Sequence, residues 1–156
     1  MVSFIEPARL VAALLLVGIY TGMCAAIFFR HRAARREAAL SSEGDWLVVH
    51  ASQTGTALAV AQDTQRLLAS AGIRVGLVSL AQVDVTMLAA ADRVLFVVST
   101  YGEGDPPDEA AGFADRYMTS IADLDGLHYG LLALGDDSYT HFGGFGRRLE
   151  TWLKAS

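Results

Sequence analysis

Three short polar segments of the sequence carry the residue types that hold small ligands. Residues 52–57 offer three hydroxyls around a glycine, while residues 99–108 and 134–143 combine glycines, carboxylates and a tyrosine among polar neighbours. Glycine lets the backbone approach a ligand closely, and proline stiffens a loop. A flat ring held between Tyr101 and Tyr139 would gain about 1 kcal/mol per stacked pair. The alternative is that both tyrosines are half-buried packing residues.

The first of these segments is predicted to bind a phosphate monoester through neutral donors. Residues 52–57 lead directly into a predicted helix, whose free amide groups attract anions. The segment contains neither lysine nor arginine, so it matches neither a P-loop nor a Gly-x-Gly-x-x-Gly turn. A plain helix cap is the alternative interpretation.

The elements that must position these segments alternate along the chain. Apolar runs predict strands over residues 47–50, 75–79, 94–98 and 131–134, and helical patterns follow over 56–71, 85–91, from Asp108, and over 145–153. We therefore predict an α/β fold with a doubly wound parallel sheet and helices on both faces. Ligands bind such sheets beyond the carboxyl ends of the strands, where all three polar segments fall.

Two helices have predicted inner faces. Asp108 is expected to cap its helix. The apolar positions predicted to face the core are Val60, Ala61, Thr64, Leu67, Leu68 and Ala71 in the first helix, and Ala110, Phe113, Ala114, Tyr117 and Ile121 in the helix after Asp108.

In order and spacing, the three polar segments resemble the FMN loops of the flavodoxin-like domain of diflavin reductases. That family includes cytochrome P450 reductase and the sulfite reductase flavoprotein alpha-component, and the resemblance covers about residues 46–154. It implies that FMN is the cofactor and that Tyr101 and Tyr139 take the ring-stacking positions. Separately, the single cysteine and the four histidines without ligand spacing predict that there is no metal site. The implied phosphate contacts are Ser52, Gln53, Thr54, Gly55, Thr56 and Ala57; the implied ring contacts are Ser99, Thr100, Tyr101 and Gly102, with Leu134, Gly135, Asp136, Asp137, Ser138, Tyr139, Thr140, His141, Phe142 and Gly143.

The resemblance also implies the function. Members of the family pass electrons one at a time from NADPH through FAD to FMN, and then to a haem or metal acceptor. The 156 residues contain no FAD or NADPH module, and the last strand and helix of the flavodoxin fold are missing, so we expect residues 46–156 to be an incomplete FMN domain of a larger reductase. Two alternatives remain: a stand-alone flavodoxin-like carrier, or an anchored interaction domain without FMN. Leu58, where a glutamate is common, keeps the second of these open.

The N-terminal residues predict a single transmembrane helix over residues 10–29. These 20 positions carry no charge, and about 20 apolar residues are needed to span a bilayer. Arg30, Arg32, Arg35 and Arg36 follow, so the C-terminal side, with the FMN domain, should be cytoplasmic. Residues 1–9 are then a flank, and residues 30–45 a basic juxtamembrane segment and linker in contact with membrane lipid. A buried core helix is the alternative.

Charge adds a prediction about redox behaviour and partners. The net charge is −5, and the second and third segments contain acidic residues but no lysine or arginine. Carboxylates disfavour the extra negative charge of a reduced flavin, so we expect a low potential for full reduction. They also suit a basic haem or metal protein as the electron acceptor, and we predict no nucleic-acid partner. The six acids in or directly after these segments are Glu103, Asp105, Asp108, Glu109, Asp136 and Asp137.

Overall fold

The computed structural model describes residues 16–25 and 46–156. Residues 16–25 form a helical segment in which every residue is exposed, and the Thr21 hydroxyl donates to the Val17 carbonyl at 2.8 Å. Within these two ranges, no helix is both long enough and apolar enough to cross a membrane. The predicted span over residues 10–29 lies only partly inside them. Its two ends, the N-terminal flank and the linker over 30–45 fall outside the described residues.

Residues 46–156 alternate strand and helix as predicted. Four parallel strands form one sheet in the order β2-β1-β3-β4, which confirms the parallel α/β fold. The strands are β1 (Trp46–Ala51), β2 (Val75–Ser79), β3 (Arg93–Ser99) and β4 (His128–Leu134), and the helices are α1 (Thr56–Ser70), α2 (Val85–Ala89), α3 (Asp108–Tyr117) and α4 (Gly144–Ala155), with a 3-10 turn at Leu80–Gln82.

The central strands are buried because both of their faces are covered. Val48 and Val49 point to opposite faces of the sheet, and both are fully buried. Val48 packs with Ala57 and Ala61 of α1, whereas Val49 belongs to a larger apolar cluster with the inner faces of α3 and α4. Continuous apolar runs such as that of β3 arise from this double burial. Helices on both faces are therefore confirmed.

The predicted inner faces of α1 and α3 include residues that do not contact the core. Helix α3 ends at Tyr117, and Ile121 beyond it is 75% exposed, so its assignment to the core is wrong. Leu67 and Ala71 of α1 are also wrong as inner residues, because Leu67 is 70% exposed and Ala71 is exposed just after the end of the helix, while Ala57 and Ala61 make the contact with the sheet. Small residues on that face bring α1 close to the strands, and the larger Leu67 is left at the side.

Asp108 does not cap α3. Pro107 occupies the capping position and offers no side-chain hydrogen bond, and Asp108 is the first helical residue. Its side chain instead contacts the segment after β1, as described below. The prediction is wrong because the rigid backbone of Pro107 already starts the helix, which leaves the Asp108 carboxylate available for a tertiary contact.

Strand β4 lies at one edge of the sheet. Among the described strands it pairs with β3 alone, from Arg93 opposite His128 to Ser99 opposite Leu134. Leu132 is 46% exposed, as expected for an apolar residue on an edge strand. Since β1, β3 and β4 are neighbours and parallel, the segments that follow them leave the same edge of the sheet.

Candidate functional site

Three loops meet at the carboxyl edge of the sheet. The first loop, residues 52–55, joins β1 to α1; the second loop, residues 100–107, joins β3 to α3; the third loop, residues 135–143, joins β4 to α4. Their parent strands are adjacent in the order β1-β3-β4. Every residue predicted to bind the cofactor lies in these loops or at the ends of the strands and helix that flank them.

The first loop forms a turn around the amino end of α1. The Ser52 hydroxyl accepts from the Gly55 amide at 2.9 Å, and Gly55 has a φ of 93°, a conformation that glycine adopts without strain. Helix α1 begins at Thr56, so the amide groups of its first turn have no acceptor in their own helix. Ala57 is fully buried and can offer a ligand only its backbone amide. The loop therefore presents donors and no cation.

The first and second loops are tied together by hydrogen bonds. The Gln53 amide donates to the Ser99 hydroxyl at 3.3 Å, and that hydroxyl donates to the Ala51 carbonyl at 3.1 Å. The Gln53 side chain makes two bonds to Asp108, donating to its carboxylate at 3.3 Å and accepting from its amide at 3.0 Å. The side chain of Gln53 is thus a link between loops, although the sequence predicted a cofactor contact.

The second loop presents an exposed ring and a buried hydroxyl. The Tyr101 and Asp105 backbones exchange two hydrogen bonds at 2.9 Å, which close the turn that contains Gly102 and Gly104. The Tyr101 side chain projects from this turn and is 58% exposed. Next to it, the Thr100 amide donates to the Leu134 carbonyl at 2.8 Å, and the buried Thr100 hydroxyl has no hydrogen-bond partner among the described residues.

The third loop starts with a turn centred on Asp136. Its carboxylate accepts from the hydroxyl and the amide of Ser138, at 2.6 and 2.9 Å, and these bonds lower the pKa of Asp136. Tyr139 follows and is 42% exposed. The third loop ends at Gly143, with a φ of 64°, directly before α4. Like the second loop, it places a tyrosine on the surface from a hydrogen-bonded turn.

Close glycine contacts join the second and third loops. A Cβ placed on Gly144 would lie 2.7 Å from the Cα of Gly104, so the two backbones touch. The Cβ of His141 would be 3.1 Å from a Cβ on Gly104. His141 also lines a groove of about 700 Å³ between Gly104 and helix α4, which includes Arg147 and Arg148. His141 therefore packs at the side of the second loop.

Two residues that the sequence analysis did not assign to cofactor binding lie behind the first loop. His50, near the end of β1, is 7% exposed, and its Nδ1 lies 3.4 Å from Glu109 Oε2. The same carboxylate oxygen accepts from the Ser52 amide at 3.1 Å. Burial lowers the pKa of His50, and the charge of Glu109 opposes that shift. The signal in the sequence was a histidine in an otherwise apolar strand.

The arrangement fits a flat ring that carries an anionic tail. The buried Thr100 hydroxyl has no partner among the described residues and is available to bond a ligand atom, because buried polar groups are nearly always hydrogen-bonded. Exposed tyrosines flank the same edge from the second and third loops. Free amide groups at the start of α1 suit a phosphate. These features lie in loops that follow three neighbouring strands.

The comparisons with known sequences point to one family. The flavodoxin family model matches residues 48–156. The chain is 39% identical over 119 residues to the sulfite reductase [NADPH] flavoprotein alpha-component of Aliivibrio fischeri, which covers 74% of this chain and 20% of that protein. It is 34% identical over 108 residues to the Bacillus subtilis protein of the same name, covering 69% and 18%. The chain thus spans about a fifth of the length of these relatives.

Solved structures give the same answer for the fold. Oxidised flavodoxin 2 from Bacillus cereus superposes with a TM-score of 0.63 at 27% identity, covering 71% of this chain and 75% of that one. A Streptococcus pneumoniae flavodoxin gives 0.61 at 26% identity, covering 70% and 74%. Flavodoxin domains bind FMN. The predicted resemblance to the FMN domain of diflavin reductases is confirmed, and the chain belongs to the flavodoxin family.

Proposed function

We propose that residues 46–156 form an FMN-binding electron-transfer domain, the FMN module of a reductase of the diflavin type. The observation that carries this proposal is the meeting of three loops at one sheet edge. These loops present the Thr100 hydroxyl, which has no partner among the described residues, and the exposed side chains of Tyr101 and Tyr139. Sequence similarity to sulfite reductase flavoproteins supports the reductase assignment. NADPH, an FAD-containing module and a haem or metal acceptor are the partners that this assignment entails.

Each loop has a separate role in this proposal. Amide groups of the first turn of α1, with the Thr54 and Thr56 hydroxyls, hold the phosphate. Tyr101 and Tyr139 cover the ring and limit its contact with water, while the Thr100 hydroxyl bonds a polar edge of the ring. When bound, FMN supplies the capacity to accept and release electrons singly. Gln53 and Asp108 keep the first two loops at a fixed spacing.

The acidic residues around the loops affect the reduction potential of the flavin and the choice of acceptor. Glu103, Asp105 and Asp137 are exposed, and the Asp136 pKa is lowered by its bonds to Ser138, so the second and third loops carry negative charge, which Arg147 and Arg148 of α4 offset only at one side. A negative environment makes full reduction of the flavin harder, so the domain donates electrons readily. The same charges attract a basic acceptor protein and lose that effect in high salt.

The visible spectrum of the purified full-length chain tests FMN binding. We expect a yellow protein whose flavin is released on denaturation and whose apoprotein takes up added FMN stoichiometrically. A colourless protein that takes up no FMN would contradict the proposal and favour the alternative of an FMN-free interaction domain. Binding of FMN with rapid reduction by a separate reductase would favour the stand-alone carrier.

A stand-alone carrier has one observation in its favour. Flavodoxins of Bacillus cereus and Streptococcus pneumoniae match this chain over about three quarters of their own length, whereas the reductase relatives match over about a fifth of theirs. Adding an FAD- and NADPH-binding reductase module separately distinguishes the two. NADPH-dependent flavin reduction whose rate rises and then saturates with module concentration indicates a separate partner, whereas failure of every added module to reduce the flavin favours a covalently joined one.

We also propose that the domain is anchored in the membrane by residues 10–29. The support is the run of 20 uncharged residues followed by four arginines, which places the domain on the cytoplasmic side. The chain should resist extraction from membranes by alkaline carbonate. Ile19→Arg should release it, because a charge in a spanning helix is costly. Leu67→Arg, on the exposed side of α1, is the control that should leave it in the membrane. Extraction of the unaltered chain would contradict the anchor.

A further inference from the structure

His50 is the only basic residue in β1 or in residues 52–57 that follow it. Its side chain is buried at the sheet edge that the three loops share. The positions in register with it are uncharged, Ser79 on β2 and Val97 on β3. Helix α1 carries no charged residue before Asp63. Within the described chain, Glu109 of α3 is the charged group that acts on His50.

Glu109 places a carboxylate behind the loop proposed to hold the phosphate. One oxygen, Oε2, accepts from the Ser52 amide at 3.1 Å and lies 3.4 Å from the imidazole Nδ1 of His50. The carboxylate thus supports the first residue of the loop from the protein side. Its negative charge would lie near that of a phosphate dianion bound in the first loop.

In the complex, the charges of the phosphate, Glu109 and His50 affect one another. The first loop has no lysine or arginine to balance a dianion. Without ligand, burial lowers the pKa of His50 from 6.5, so the ring is neutral at neutral pH and Glu109 is its charged neighbour. A second anion nearby favours the protonated ring, because opposite charge raises the pKa of a base. Protonation of His50 supplies a positive charge to a region that holds Glu109 and, in the complex, the phosphate.

We propose that His50 is a positioning residue that supplies the counter-charge for a phosphate ester in the first loop, and that this ligand binds together with a proton. This inference rests on the proposed FMN function. The proton comes from solvent and adds to the free nitrogen of the neutral imidazole, so both ring nitrogens then carry hydrogen. Glu109 accepts from the Ser52 amide throughout.

The sign of the pH dependence follows from proton uptake. A ligand that binds with a proton binds more tightly as pH falls, by up to about tenfold per pH unit for one proton. The window lies between the His50 pKa of the free protein, below 6.5, and its higher pKa in the complex. The phosphate of FMN has its own second pKa near about 6 and acts in the opposite direction. Variants at His50 separate the two contributions, because the phosphate is common to all.

Proton counting on the full-length apoprotein is the test. Isothermal titration calorimetry with FMN, in pairs of buffers that differ in ionisation enthalpy, gives the protons taken up between about pH 5.5 and pH 8. Riboflavin, which lacks the phosphate, is the matched ligand. His50→Asn keeps a neutral donor near the Nδ1 position. We expect the unaltered protein to take up more protons than His50→Asn with FMN, and the two to be equal with riboflavin.

Glu109→Gln provides a second variant if His50→Asn fails to fold. It keeps an acceptor for the Ser52 amide and removes the charge, so FMN should bind more tightly at about pH 8, and the pH dependence should move to lower pH. An unchanged pH profile in this variant would mean that Glu109 has a purely structural role, and would overturn the inference. Equal proton counts with FMN in the unaltered protein and His50→Asn would also overturn it, while FMN binding itself upholds the proposed function. A protein that binds neither flavin contradicts both.

Discussion

Gln53 and Asp108 are 55 positions apart in the chain and form a two-point hydrogen-bonded pair. The side-chain nitrogen of Gln53 donates to the Asp108 carboxylate at 3.3 Å, and the side-chain oxygen of Gln53 accepts from the Asp108 backbone amide at 3.0 Å. The pair satisfies a free donor at the start of α3 and links that helix to the first loop. The Gln53 side chain is therefore one of the contacts that fix the first loop beside the second, together with the Ser99 hydroxyl and the Glu109 carboxylate.

Replacement of Gln53 with alanine should loosen this link. Loss of two exposed hydrogen bonds should lower the free energy of unfolding by about 1 kcal/mol and weaken FMN binding several-fold. Urea unfolding of the apoprotein and FMN titration measure the two effects. Gln62→Ala, at an exposed site on α1, is the control that should change neither. Unchanged FMN affinity in Gln53→Ala would show that the loop spacing is fixed by other contacts.

Gly144 and Gly112 offer a matched pair of glycine-to-alanine changes. At Gly144 the new Cβ would lie 2.7 Å from the Gly104 Cα, so backbone must move, and we expect a loss of about 1–3 kcal/mol of stability and weaker FMN binding. At Gly112, inside α3, nothing lies within 4 Å, and alanine should stabilise by about 0.5–1 kcal/mol. Thermal unfolding tests both. A neutral Gly144→Ala would contradict the tight contact between the loops.

The exposed tyrosines should contribute to flavin binding and little to folding. Tyr101→Ala and Tyr139→Ala should each weaken FMN affinity by about fivefold, from about 1 kcal/mol of lost stacking. Because the side chains are 58% and 42% exposed, the apoprotein should unfold at nearly the same urea concentration. Ile121→Ala, at an exposed site outside the loops, should leave FMN affinity unchanged. A tyrosine variant with full FMN affinity would remove that ring from the site.

The fold and the three loops were predictable because their signals are local. The apolar run of β3 and the glycine at the end of α1 identify these elements from neighbouring residues alone, and loops after parallel strands must share an edge. The mistaken core positions, Leu67, Ala71 and Ile121, show the limit of a periodic pattern. An apolar residue that fits the pattern can lie beside or beyond the contact that buries the helix.

The contacts that join the loops could not be predicted in the same way. The pair of Gln53 with Asp108 and the contact of His50 with Glu109 each join β1 or its loop to α3 across more than fifty positions. Local sequence gives no information on which side chain will face another at that separation. Gln53 matched a phosphate-loop pattern, yet its side chain is used by the protein itself.

The acidic edge should lower the potential for full reduction of bound FMN below that of free FMN. Asp105→Asn or Asp137→Asn should raise it by roughly 10–20 mV at low ionic strength, and less in high salt. Asp125 precedes β4 and lies at the opposite edge of the sheet, so Asp125→Asn is the matched control. Potentiometric titration gives these values. A bound-flavin potential no lower than that of free FMN would contradict the charge argument.

The stability of the apoprotein should respond to pH through His50. Its pKa in the folded protein is lowered from 6.5 by burial, so below pH 6.5 the unfolded chain binds more protons than the folded one. His50 therefore stabilises the fold fully above pH 6.5, and this contribution is lost as pH falls towards its lower folded pKa, by at most about 1.4 kcal/mol per pH unit. Urea unfolding between about pH 8 and pH 5 should show this slope in the unaltered protein and a smaller one in His50→Asn. Added FMN should reduce the slope, because its phosphate favours the protonated ring, whereas riboflavin should not. Identical slopes in the two proteins would mean that His50 keeps its ordinary pKa in the folded chain.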